Sequence, residues 1–207
     1  MFKFRRQADS TFSALLRCRI AVVLLSGVSL FLGACQPRVH GDLYRIAGLM
    51  PALAFRMTSD SGRPVTARTY RNKVVLLYFG YTHCTDACPT TLSTLSRAVR
   101  LLGREAGDVR ILFVTVDPVR DTLAVLRRYA AEFGPEVVGL RGTPASLETL
   151  ARRYRVVYEP GAAKGELAHS SGVFMFDGRG RAQWLAPLGT PAPAIARAVR
   201  GLLDGSG

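Results

Sequence analysis

Val74-Val-Leu-Leu-Tyr-Phe79-Gly-Tyr-Thr-His-Cys84-Thr-Asp-Ala-Cys88-Pro89 sets two cysteines, with three residues between them, directly after an apolar run. Residues 74–79 are all aliphatic or aromatic, as expected of a strand buried on both faces. The following segment, residues 90–102, carries Leu92, Leu95, Val99 and Leu102 at helical spacing, so one apolar face of a helix packs on the strand. The thiols therefore stand at a strand-to-helix turn. Free amide N–H groups and the helix dipole favour negative charge there, and a thiolate is both nucleophile and metal ligand.

The other two cysteines, Cys18 and Cys35, lie near the N-terminus. Lys3, Arg5, Arg6, Arg17 and Arg19 against Asp9 give the first nineteen residues a net +4, and residues 20–34 are an uninterrupted apolar and small-residue run. Fifteen helical residues reach roughly 22 Å, short of the ~30 Å hydrocarbon core, which favours a signal's hydrophobic region over a membrane span. Leu32-Gly-Ala-Cys35 resembles a bacterial lipobox. That resemblance implies a lipoprotein-type signal over residues 1–34 and lipidation at Cys35. An uncleaved anchor with Cys35 incidental is the alternative. Either way the domain is expected on the periplasmic face of the bacterial inner membrane, anchored to it.

Residues 35–54, with Pro37, Gly41, Gly48 and Pro51, read as a tether, and residues 55–205 as the folded domain. Of the formal net charge of +13, removing the signal's +4 leaves +9, much of it arginine on expected helix faces. Such a surface suits anionic lipid or an acidic partner. Nucleic acid is not an expected partner, because an exported chain rarely meets it and no recognition motif is present.

Residues 55–66 read as a hairpin with a polar turn, residues 109–116 as a second buried strand, and Asp121 as the N-cap of a helix bearing Leu123, Leu126, Ala130 and Phe133. Gly142-Thr-Pro144 opens a third helix, residues 156–158 suggest a short strand, and residues 159–167 a loop. Residues 171–185 form another hairpin about Asp177-Gly-Arg-Gly180, and residues 191–203 a closing helix. This is the order of an α/β, thioredoxin-like domain: a central mixed sheet flanked by helices, with an N-terminal hairpin and an insertion between Pro118 and Tyr158. The thiols sit at the carboxyl end of a parallel strand, where open α/β sheets place their sites.

With Cys18 and Cys35 assigned to the signal and anchor, the domain retains Cys84 and Cys88. A disulfide between them closes too short a loop to staple a scaffold, so a reactive pair is the better reading. Two soft sulfurs and one imidazole suit Cu(I), or a distorted Cu(II) site. His40 lies in the tether and His83 abuts Cys84, whereas His169 stands at the end of a loop that can approach the thiols. A structural zinc site would want a fourth ligand, and none offers itself. Asp117, at a strand end, either tunes the site electrostatically or satisfies backbone donors beside Pro118. Asp86, between the thiols, reads as a turn residue.

Residues 79–92, Phe-Gly-Tyr-Thr-His-Cys-Thr-Asp-Ala-Cys-Pro-Thr-Thr-Leu, resemble the signature of the SCO/SenC family of copper-delivery proteins. Val114-Thr-Val-Asp-Pro-Val-Arg-Asp-Thr122, Gly139-Leu-Arg-Gly-Thr-Pro144 and His169 before Ser-Ser-Gly-Val-Phe-Met-Phe-Asp177 resemble its further blocks. The resemblance implies one copper per domain, held by Cys84, Cys88 and His169. It also implies service to the copper-site subunit of cytochrome c oxidase, by delivering copper, by reducing cysteines, or both. Other periplasmic copper or thiol carriers are further candidate partners. Thr85 stands where the family usually has proline, and Leu123 where proline is common. A thiol–disulfide oxidoreductase, with Cys84 attacking and Cys88 resolving, is the competing reading. A thiol peroxidase would need a threonine and an activating arginine beside its cysteine, and nothing in the sequence fixes such a trio.

Overall fold

Val74–Gly80 is buried along its whole length and forms the central strand β4 of the sheet. The structure is a computed structural model that describes residues 43–158 and 172–205. The expected signal, Cys35, His40, the loop at 159–167 and His169 lie outside the described residues.

The sheet is built from β1 (Tyr44–Arg45), β2 (Arg56–Ser59), β3 (Pro64–Thr66), β4, β5 (Val109–Thr115), β6 (Val137–Arg141), β7 (Gly172–Phe176) and β8 (Ala182–Pro187). Their order is β1-β8-β7-β4-β5-β6-β2-β3. β4, β5 and β6 are parallel, while β7 runs antiparallel to β4 and β8 antiparallel to β7. The helices are α1 (Ala87–Arg100), α2 (Leu123–Ala131), α3 (Pro144–Arg153) and α4 (Ala192–Leu203). This is the mixed α/β, thioredoxin-like arrangement that the sequence order predicts.

Cross-strand partners share a face. Tyr78 of β4 registers with Phe113 of β5, and Phe113 with Gly139 of β6. On this face Phe113 packs against Tyr129 of α2, with ring centroids 5.5 Å apart, and α1 covers Tyr78. On the opposite face, Leu77 and Val75 register with Phe174 and Phe176, which pack on Tyr154.

Four sequence expectations change. The folded unit begins before residue 55. The Ile46 N–H bonds to the Gln183 carbonyl at 3.0 Å, the Leu53 N–H to that of Gly180 at 2.7 Å, and the Tyr154 hydroxyl to that of Ala52 at 3.0 Å. Residues 43–54, read as tether because of their prolines and glycines, thus lie along the domain with Ile46 and Leu53 buried. The stretch from Pro118 to Tyr158 contributes β6, which pairs with both β5 and the N-terminal hairpin. Residues 156–158 supply a single bridge residue, Tyr158, in place of a strand. Finally, α1 starts at Ala87, so that Cys88 and Pro89 lie in its first turn. Proline is accepted there because its missing N–H has no intrahelical acceptor in that turn.

Candidate metal and thiol site

The strand registers bring several loops to one end of the sheet. β4 ends at Gly80 opposite Thr115 of β5; Gly172 opens β7 opposite Pro187, which closes β8. The thiol loop, residues 81–86, therefore shares its end of the sheet with the β5–α2 and β8–α4 connections and with the point where the chain enters β7.

Cys84 is half-buried and Cys88 fully buried, and both are free thiols. The Cys88 N–H donates to Cys84 Sγ at 3.3 Å. Burial works to raise the Cys84 pKa, but the N–H groups of Cys88 and Asp86 donate to its sulfur and bring the balance below the ordinary thiol value. Cys88 is held differently. Burial pushes its thiol up to about 12, against the hydrogen bond that the Tyr78 hydroxyl donates to its Sγ at 3.5 Å. The Tyr78 phenol is itself raised by burial and by the adjacent Cys88. The thiol at the helix start is thus the more acidic of the two, and the one in the core the less acidic.

Gly80 makes room for this arrangement. A Cβ there would stand 2.6 Å from the Phe113 ring and 2.8 Å from Cys88 Sγ, so only glycine lets the strand pass beneath the sulfur. Tyr129 closes the same region. Its hydroxyl is buried without a hydrogen-bond partner among the described residues, and burial followed by the charge of Cys88 and Cys84 raises its pKa.

Asp121 anchors the loop. Its carboxylate is fully buried and accepts the Thr82 N–H at 3.1 Å, the Thr82 hydroxyl at 2.6 Å and the Thr115 hydroxyl at 2.6 Å. The expected N-cap role belongs to Thr122, whose side chain accepts the Val125 N–H at 3.3 Å. His83 turns its Nδ1 toward Thr82 Oγ1 at 3.2 Å, with Asp121 Oδ1 at 3.6 Å. The Asp117 carboxylate, for which the sequence left open a tuning role or a strand-end acceptor role, accepts from the Arg120 guanidinium and backbone N–H. Asp86 is exposed at the start of α1.

Among the described residues, no group of three or more His, Cys, Asp or Glu is placed to hold a metal. The described donor set is two sulfurs, which suits a soft ion and leaves any third ligand to come from elsewhere. A cleft of about 470 Å³ beside the start of α1 is lined by Asp86, Thr90, Val173, Leu188 and Pro191. Another, of about 540 Å³, is lined by Thr82, His83, Arg128, Tyr129 and Glu132. Neither is lined by a cysteine; both border the loop that carries the pair.

The SCO1/SenC family model matches residues 51–204, the whole of the sheet except β1 and all four helices. The chain belongs to the SCO1/SenC family. Protein SenC of Rhodobacter capsulatus is 31% identical over 181 residues, covering 81% of this chain and 80% of that protein. The mitochondrial Protein SCO1 homolog 1 of Arabidopsis thaliana is 41% identical over 105 residues, covering 50% of this chain and 31% of that protein. The chain spans about a third to a half of the length of such mitochondrial relatives. Among solved structures, copper-bound ScoI of Bradyrhizobium japonicum superposes with a TM-score of 0.67 at 32% identity, covering 73% of this chain and 99% of that one.

Sequence reasoning found both cysteines. It missed Asp121, Tyr78, Gly80 and Tyr129. No described helix is long and apolar enough to cross a membrane.

Proposed function

We propose that this SCO1/SenC protein is a membrane-tethered copper chaperone of the bacterial periplasm, serving the binuclear copper site of cytochrome c oxidase. It carries one copper on Cys84, Cys88 and His169. The observation that carries the reading is the pair of free sulfurs at the β4–α1 junction, one half-buried and one in the core. The copper-bound state of ScoI, a relative with this fold, supports it. So does connectivity: Gly172 opens β7 beside β4 at the thiol end of the sheet. His169 precedes Gly172 by three positions in the sequence. Three ligands without a fourth suit a cargo that must leave again.

The unequal thiols favour a second role on the same residues, reduction of the target's cysteines. Cys84 attacks one sulfur of a target disulfide as thiolate, releasing the other as a thiol and forming a mixed disulfide. Cys88 then displaces the remaining target thiol and closes the Cys84–Cys88 disulfide. Cys35 is the lipid attachment point in this account, with the arginine-rich surface toward anionic lipid or an acidic partner.

The test is anaerobic incubation of the copper-loaded protein with the metal-free copper domain of the oxidase, with its cysteines either reduced or oxidised. Copper transfer to the reduced domain supports delivery. Reduction of the oxidised domain without copper transfer would leave the oxidoreductase role alone.

A further inference from the structure

Alternation along β4 places Tyr78 and Gly80 on one face, the face that α1 covers with Cys88 in its first turn. Gly80 leaves no space between the strand and Cys88 Sγ, and the Phe113 ring closes the far side. Tyr78 stands two residues earlier, fully buried, with its ring 6.1 Å from that of Phe113 and its hydroxyl on the same sulfur. Cys88 Sγ therefore sits in a fitted socket, into which the strand directs the Tyr78 O–H.

We infer that Tyr78 is a positioning residue that holds Cys88 in its reduced form, setting the balance between the dithiol and the Cys84–Cys88 disulfide. The phenol donates to a thiol or thiolate sulfur, and a disulfide sulfur accepts more weakly, so the bond favours the reduced pair. In exchange with glutathione disulfide, the two thiols give up two electrons and two protons. One S–S bond forms within the protein and two glutathione thiols are released. Loss of the phenol O–H removes a contact that stabilises the dithiol more than the disulfide, and the equilibrium moves toward the disulfide. Hydrogen bonds to sulfur shift the reduction potentials of iron–sulfur centres, and the same kind of contact acts here on a dithiol. The inference rests on Cys84 and Cys88 being the working pair.

The test uses metal-free protein, so failure to bind copper would count against the proposed function and leave this measurement standing. Tyr78→Phe keeps the ring and deletes only the hydroxyl. The equilibrium constant for disulfide formation in glutathione buffers is expected to rise about three- to tenfold, the range of one hydrogen bond. A constant unchanged within twofold, or lower, would overturn the inference, because a ring that merely packs is preserved by phenylalanine. If Tyr78→Phe does not fold, 3-fluorotyrosine at position 78 poses the same question with the opposite sign. Its more acidic phenol donates more strongly and should lower the constant, and an unchanged or raised value would contradict the assignment.

Discussion

The buried carboxylate of Asp121 accepts both the backbone N–H and the hydroxyl of Thr82, 39 residues away in sequence and two before Cys84. A third bond, from Thr115, fixes the same carboxylate to the end of β5. The thiol loop is thus held from the neighbouring strand, independently of α1. Asp121→Ala leaves the Thr82 N–H and two hydroxyls without their acceptor. A loss of about 2–4 kcal/mol in stability is expected, together with a changed dithiol–disulfide equilibrium, read by urea unfolding and glutathione titration. That loss of stability with an unmoved equilibrium would show that the anchor does not reach the cysteines.

The two thiols should differ sharply toward alkylation. Cys84 has its pKa lowered by N–H donors that outweigh burial, whereas burial raises that of Cys88 to about 12. Iodoacetamide at pH 7 is expected to modify Cys84 selectively. The rate of that reaction should rise with pH through a lower midpoint than that of an ordinary thiol. Peptide mapping of the labelled protein checks this. Equal labelling, or faster labelling of Cys88, would reverse the assignment of attacking and resolving residues.

Gly80→Ala tests the socket. The added methyl meets the Phe113 ring and Cys88 Sγ, neither the far end of a flexible chain. The expected cost is about 1–3 kcal/mol from overpacking, with weaker copper binding as the sulfur is displaced. Thermal unfolding and copper titration read the two effects separately.

Much of the site was legible because its signals are local. The apolar run of β4, the helical periodicity of α1 and the paired cysteines all lie within one short segment. β6 escaped notice because Val137-Val-Gly-Leu-Arg141 is short and interrupted by glycine, and its strand character comes from pairing on both sides with β5 and β2. Asp121 looked like a helix cap because it precedes an apolar-periodic segment. The adjacent Thr122 took that role, and the partners of Asp121 are set by the tertiary fold. Tyr78 read as strand filler; only the packing of α1 brings Cys88 over its hydroxyl. Residues 43–54 carry the composition of a tether, yet buried Ile46 and Leu53 tie them to the second hairpin.

The turn of that hairpin carries a pH dependence. The Asp177 carboxylate accepts the N–H groups of Arg179 and Arg181 and the Arg181 guanidinium. Burial works to raise its pKa, but those donors and the guanidinium charge outweigh it and hold the carboxyl below its ordinary value. A depressed folded-state value means the contribution is complete above the unfolded value of about 3.9 and is lost as pH falls through the folded one. Asp177→Asn should therefore be less stable at pH 6, and its urea midpoint should fall less steeply between pH 5 and pH 2. Parallel pH curves for the two proteins would contradict this.

The most direct test of the central claim is anaerobic Cu(I) titration of the reduced protein, comparing the unmodified chain with His169→Ala and Cys84→Ser. The account expects one tightly held copper per chain, and loss of tight binding in Cys84→Ser. It expects an affinity at least about tenfold weaker in His169→Ala, with disulfide exchange nearly intact. Unchanged stoichiometry and affinity in His169→Ala would contradict the three-ligand site, and no tight copper in the unmodified protein would contradict the chaperone reading itself.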